Sequence, residues 1–320
     1  MNSPRKLIVG LGELLWDLLP EGRQLGGAPA NFAVMSARLG NHAVIASRLG
    51  QDALGREARQ WLSAFPADTS YVQNDPVHET GAVSVELVDG QASYVFHQPV
   101  AWDFLEFTPA WHELVEKADA ICFGTLAQRA PASRQTIHDV LAASSPSCVR
   151  VFDVNLRKPH YDRAAIEGSL ALATILKLND AEVPEVLSLL GMESDPRLTT
   201  DGEPDQEALL AAARRLLAAF PLKLVCVTLG KYGSLLVTRE AFDRHPGLPV
   251  QVVDTVGAGD AFTAALVSAY LQSSSLRVSN ETGNRWGGWV ASQRGAMPPL
   301  SDSVRESIFA AVREVASQSA

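Results

Sequence analysis

Cysteine is scarce in this chain: Cys122, Cys148 and Cys226 are the only three in 320 residues, and no two form a Cys-x-x-Cys pair. An odd, scattered set argues against a disulfide framework or a thiolate zinc site and suits a reducing compartment. Positive charge is also short, with 27 Lys and Arg against 36 Asp and Glu, a net charge of −9. That balance argues against sequence-independent binding to nucleic acid or to an anionic membrane. It leaves room for an anionic cofactor held by a local cluster of donors. Long apolar runs are missing as well. Near the N-terminus, Gly12, Glu13 and Asp17 interrupt the apolar stretch before it reaches signal-peptide or membrane-spanning length. The expectation is a cytoplasmic protein. No Walker A pattern occurs, since Gly230-Lys231-Tyr232 fails it, and Gly10-Leu11-Gly12 lacks the third glycine of a dinucleotide fingerprint.

What is present is ordinary globular composition, 47% hydrophobic and 20% charged, in a chain long enough for a large core. Short runs rich in Val and Ile predict buried strands at Leu7–Gly10, Ala43–Arg48, Ala120–Gly124, Val149–Val154, Ala173–Leu178 and Leu224–Leu229. Helical patterns follow at Ala30–Leu39, Pro131–Ala143, Gln206–Ala219, Ala261–Gln272 and Val304–Ala316. Continuous rather than alternating hydrophobicity implies strands covered on both faces. The alternation of β and α elements predicts an α/β fold, a three-layer α/β/α doubly wound sheet. Two segments break the rhythm. Glu13–Leu19 has strand content, and Ala82–Phe96 reads as two strands around Asp89-Gly90, a tight-hairpin signal. These pieces predict a small β-sheet lid, with segments of about 13–27 and 81–104 inserted in a single domain spanning 1–320. Glu193–Gln206 reads as a surface loop between helices.

The strongest chemical signal is Asp254-Thr255-Val256-Gly257-Ala258-Gly259-Asp260, followed at once by the helical run from Ala261. Small residues let successive N–H groups point into one concavity, and the helix adds the positive end of its dipole. Such a nest stabilises a phosphoryl group in transfer, and a carboxylate at its mouth accepts a hydroxyl proton. The plainer alternative makes Asp260 a helix cap after a glycine turn. Gly26-Gly27-Ala28-Pro29-Ala30-Asn31 opens another helix, where paired glycines admit a ligand and Asn31 offers an amide suited to neighbouring hydroxyls. Asp17 is either a solvated strand end or an acceptor for sugar hydroxyls.

Asp153-Val154-Asn155-Leu156-Arg157 ends a predicted strand, the place where open α/β sheets bind ligands. Arg157 either meets an anionic or oxygen-rich group or pairs with Asp153. Lys177-Leu178-Asn179-Asp180-Ala181-Glu182 ends the next strand. Asn179 and Glu182, three apart, would share a helical face and hold Mg²⁺ through water, or would simply start a helix. Thr228-Leu229-Gly230 leads to Gly233, and this turn either makes room for nucleotide phosphates or is only a hairpin.

In this order and at these spacings the motifs resemble the ribokinase-like sugar kinases, the PfkB carbohydrate kinase family. The resemblance runs from Gly10-Leu11-Gly12-Glu13, through Arg38-Leu39-Gly40 and Gly50-Gln51-Asp52-Ala53-Leu54-Gly55, to Asp254–Asp260. Within the family the Gly26–Asn31 segment, Asp153–Arg157 and Lys177-Leu178-Asn179 look most like fructokinases, although Val154 stands where those commonly have Pro. The resemblance implies Mg²⁺ and ATP, Asp260 as catalytic base, and the turn Gly257, Ala258 and Gly259 as the anion hole, with N–H groups supplied by Ala258 and Gly259. It implies sugar contacts at Asp17, Gly26, Gly27, Asn31 and Arg157. Lys177, Asn179, Thr228, Gly230, Gly233 and Asn284 would serve ATP, with Glu182 near Mg²⁺. Asp254 and the loop Gln293–Ala296 would hold a monovalent cation, most naturally K⁺.

Other readings are a kinase for ribose, for 2-keto-3-deoxygluconate or for a nucleoside whose base would sit among Phe96, Val100 and Trp102. From a different class comes a catalytically silent sugar- or nucleotide-binding regulator. The apolar residues of the 82–96 hairpin predict a homodimer through the lid.

Overall fold

A computed structural model describes residues 5–19, 22–88, 91–199 and 202–318. The chain divides into two compact units, Met1–Cys148 and Val149–Ala320.

The first unit runs β1 (Leu7–Leu11), β2 (Leu15–Leu19), β3 (Gly22–Gly26), α1 (Ala28–Arg38), β4 (His42–Gly50), α2 (Ala53–Leu62), β5 (Val72–Asp75), β6 (Gly81–Val88), β7 (Gln91–Phe96), α3 (Pro109–Glu116), β8 (Ala120–Phe123) and α4 (Pro131–Ala143). Strands β8-β1-β4-β5 lie side by side and pair in parallel. Their continuous apolar runs are buried, Ile8 and Val9 completely, as a two-sided sheet demands. A separate four-stranded sheet, β3-β2-β6-β7, holds both segments that broke the α/β rhythm. The predicted hairpin is present as β6 and β7, paired antiparallel; its turn, Asp89-Gly90, lies outside the described residues. The Gly50–Gly55 segment joins β4 to α2. There Asp52 caps the helix at Gly55 N–H (2.7 Å) and also accepts from the Thr80 hydroxyl at 2.8 Å.

The foot of the small sheet is tied down by a buried pair. Arg129 donates to both oxygens of Asp103, each at 2.8 Å, and its guanidinium lies 3.9 Å over the Trp102 ring. Val100 and Trp102 are buried in this packing.

The second unit runs β9 (Val149–Asp153), α5 (Arg163–Leu172), β10 (Ile175–Asn179), α6 (Glu182–Leu189), α7 (Gln206–Ala219), β11 (Leu224–Thr228), β12 (Ser234–Val237), β13 (Phe242–His245), α8 (Ala258–Leu271), α9 (Leu276–Ala291) and α10 (Asp302–Gln318). Its strands lie in the order β13-β12-β11-β10-β9. The pairs β9–β10 and β10–β11 are parallel, whereas β12 and β13 add antiparallel edges. Parallel pairing brings the C-terminal ends of β9, β10 and β11 to one edge. Asp153, Asn179 and Thr228 stand there.

Candidate active site

α8 begins at a turn that only glycine makes easily. Gly257 holds φ +76°, and a Cβ there would stand 2.5 Å from the Ala296 Cα. The Ala258 N–H turns back to Thr255 O at 3.2 Å, and the helical ladder starts with Ala261 N–H to Gly257 O at 2.9 Å. Between them, the Gly259 N–H lies ahead of the ladder at the positive end of the helix. Asp260 occupies the same first turn, half-buried. Asp254 braces the entry to the turn: one oxygen accepts from Val256 N–H and the other from Gly295 N–H, both at 3.0 Å.

Behind this turn sits a buried charged row. Asp153, Lys177 and Cys226 are register partners across β9, β10 and β11, so their side chains emerge on one face. Lys177 Nζ donates to Asp153 Oδ1 at 2.9 Å, with both side chains less than a tenth exposed. The other Asp153 oxygen lies 3.1 Å from Thr263 Oγ1 on α8, and that hydroxyl is 2.9 Å from Gly259 O. Burial works to lower the Lys177 pKa, but Asp153, Glu182 and Asp260 together hold it above the ordinary lysine value. The same burial pushes the Cys226 thiol up, which keeps it protonated.

Asn179 and Glu182 were expected on one helical face. Instead Asn179 is the last residue of β10, and the two cap each other across the turn into α6. Glu182 N–H donates to Asn179 Oδ1 at 2.9 Å and Asn179 N–H to Glu182 Oε2 at 2.8 Å. The second Glu182 oxygen accepts from Leu156 N–H at 2.8 Å. Burial pushes the Glu182 carboxyl above its usual range, against the pull of Lys177 and of these N–H groups.

Four of the expected sugar residues come together in the first unit. Asn31 N–H donates to Gly27 O at 3.0 Å in the first turn of α1, and its side chain is buried. Gly27 packs so closely on the segment between β1 and β2 that a Cβ would stand 2.4 Å from Glu13 O. A Cβ on neighbouring Gly26 would stand 3.2 Å from Asp17 Oδ2, which places that carboxylate against the glycine pair. The fifth, Arg157, is exposed and reaches only Leu156 O, at 3.1 Å. The alternative pairing of Arg157 with Asp153 is therefore replaced by Lys177–Asp153.

On the nucleotide side, Gly230 and Gly233 flank a single tight turn, Gly230–Tyr232, between β11 and β12, and Thr228 stands half-buried at its start. Asn284 lies on α9 and is buried. Its Nδ2 donates to Ser234 Oγ at 2.7 Å and to Asn280 O at 2.8 Å, which ties α9 to β12. Among the described residues, no three His, Cys, Asp or Glu groups gather to hold a metal ion, and no helix is long and apolar enough to cross a membrane.

This arrangement can do one thing well: meet a phosphoryl group at a helix start beside a carboxylate. The family model for the pfkB family of carbohydrate kinases matches residues 21–303. This chain belongs to the PfkB family. It is similar to a fructokinase of Klebsiella pneumoniae, 34% identical over 81% of this chain and 82% of that protein. It also resembles two solved structures. One is an uncharacterized sugar kinase of Pyrococcus horikoshii in complex with ATP (TM-score 0.78, 28% identity, 97% of this chain and 99% of that one). The other is a fructokinase of Vibrio cholerae in its fructose, ADP and calcium ion bound form (TM-score 0.76, 26% identity, the same shares covered).

The protein is therefore an ATP-dependent sugar kinase with the ribokinase-like fold, a phosphotransferase with an alcohol group as acceptor. In this PfkB kinase the residues missed from sequence are Thr263 and the buried role of Asp153. Thr263 sits one helical turn past Gly259, so the spacing alone puts it on the same side of α8. Its partner on β9 lies 110 positions away, and no local pattern marks it.

Proposed function

We propose that this PfkB kinase is a fructokinase, a single ribokinase-like domain with lid segments 13–27 and 81–104, working in the cytoplasm. The observation that carries the reading is Asp260 in the first turn of α8, beside the left-handed Gly257 turn. The sugar hydroxyl gives its proton to the Asp260 carboxylate as its oxygen bonds to the γ-phosphorus. The bond from that phosphorus to the bridging oxygen breaks, and its electron pair leaves with ADP. The Gly259 N–H, ahead of the helical ladder, meets charge that builds on the phosphoryl oxygens.

Asp17, Gly26, Gly27, Asn31 and Arg157 take the sugar hydroxyls, and Asn179, Thr228, Gly230, Gly233 and Asn284 serve ATP. Each Glu182 oxygen accepts one backbone N–H and keeps a lone pair, which fits a water of Mg²⁺. When bound, Mg²⁺ neutralises phosphate charge. Asp254, tied to the 293–296 loop through Gly295, fits a monovalent cation, K⁺, beside the anion-hole turn. The small sheet carries β7 at its edge with Val95 more than a third exposed, and the reading pairs it with the lid of a second copy. Light scattering that finds a monomer at assay concentration overturns that dimer.

The deciding experiment is coupled ADP release with fructose, ribose, tagatose, 2-keto-3-deoxygluconate and adenosine as acceptors. Fructose should give the highest kcat/KM. A clear preference for another acceptor overturns the fructokinase reading, and ADP release with none of them overturns the catalytic one.

A further inference from the structure

We infer that Lys177, Asp153 and Thr263 form a buried clamp that holds the first turn of α8 at the geometry needed for phosphoryl transfer. The inference rests on the reading of the first turn of α8 as the phosphoryl site. It makes these three positioning residues and takes Lys177 away from ATP.

The register of β9 and β10 sets Asp153 beside Lys177 on one face of the sheet. The single Thr263 hydroxyl lies within hydrogen-bond distance of two acceptors, Asp153 Oδ2 at 3.1 Å and Gly259 O at 2.9 Å. Its proton is shared in a three-centre bond that joins the sheet carboxylate to the anion-hole residue. The Lys177 ammonium closes the clamp from the other side: a methyl group on Gly259 would stand 3.2 Å from Lys177 Nζ. Gly259 is thus held at its carbonyl by Thr263 and backed at its Cα by a fixed cation.

Stability gives no reason for the pair. A buried ion pair is commonly no better for folding than apolar residues of the same volume, and the β10 residues on either side of Lys177 are apolar, Leu176 and Leu178. What the pair supplies is a rigid charge behind the residue whose N–H faces developing negative charge. A preorganised charge in a dry site costs no reorganisation during the reaction. Lys177 is itself buried, so it acts through the Gly259–Asp260 backbone.

The test is steady-state kinetics of the full-length enzyme with ATP and the best acceptor of the ADP-release screen. Thr263→Val keeps the shape and removes the shared proton; Thr263→Ser restores it. Thr263→Val should lose kcat on the order of 10²-fold, the usual cost of displacing a reacting group by about 1 Å. The KM values for ATP and sugar should not move, and Thr263→Ser should recover turnover. Lys177→Met should show the same split, with at least as large a loss. Should Lys177→Met fail to fold, the Thr263 pair carries the test alone.

Wild-type kcat in Thr263→Val overturns the clamp. A raised ATP KM with intact kcat in Lys177→Met overturns it too, because Lys177 would then touch the nucleotide. Asp260→Asn run in parallel separates the two readings. If Asp260→Asn turns over normally while the clamp variants do not, the base assignment fails and the clamp survives. If Asp260→Asn is dead and the clamp variants are normal, the clamp alone fails.

Discussion

Gly257 and Ala296 meet backbone to backbone: a Cβ on Gly257 would stand 2.5 Å from the Ala296 Cα and 3.0 Å from its carbonyl oxygen. The turn that opens α8 is thus seated on the loop that follows α9. Gly257→Ala meets both this contact and a positive φ, a strain of about 1–3 kcal/mol. The expected result is a lower melting temperature together with a loss of kcat on the order of 10²-fold. A variant with normal turnover would show that the seat is not needed for catalysis.

Asp260→Asn keeps the shape of the side chain and removes the proton acceptor. Loss of a general base costs about 10²–10⁴ in rate, so kcat should collapse. Calorimetry should find ATP and sugar binding close to that of the wild type, which separates chemistry from binding.

Asp17→Ala and Asn31→Ala are expected to weaken sugar binding by about 1–3 kcal/mol each, the cost of an unmade hydrogen bond. The sugar KM should rise while the ATP KM stays put. Equal changes in both constants would remove these residues from the sugar site.

Asp254 joins the entry of the turn to Gly295 through two 3.0 Å bonds. Activity should be low in a buffer whose only monovalent cation is organic and should rise as K⁺ is titrated in at constant ionic strength. The gain should appear in kcat, because an ion held there would brace the turn. A flat titration refutes the cation, and a response that survives in Asp254→Ala places it elsewhere.

Arg129→Leu leaves Asp103 buried without its cation; both side chains of the pair are only 4% exposed. Breaking such a pair costs about 3–5 kcal/mol. Thermal unfolding should show a clear drop in Tm, and a shift within error would mean that water replaces the guanidinium.

Much of the fold was legible because its signals are local. Apolar runs such as Leu224–Leu229 can hardly be anything but two-sided strands, and Gln206–Ala219 matches α7 end to end. Polar edge strands were not legible. β3 (Gly-Arg-Gln-Leu-Gly) and β13 (Phe-Asp-Arg-His) carry no apolar pattern and exist because a neighbouring strand offers them hydrogen bonds. α9 was hidden for a related reason. Its Gly283, Gly287 and Gly288 are poor helix formers, yet Gly283 and Gly287 let it close on Phe262 of α8.

The sequence by itself determined the glycine turn that opens α8, since Gly257, Gly259 and Asp260 are set within four positions by backbone geometry. Only the tertiary structure decided which charges stand behind it. Arg157 is four residues from Asp153 and was the natural partner on paper. The β9–β10 register instead brings Lys177, 24 positions away, to 2.9 Å from Asp153. Sequence distance governs a helix turn because its bonds close within a few residues. Across a parallel sheet the partner is chosen by register, and register is set by the packing of the whole layer.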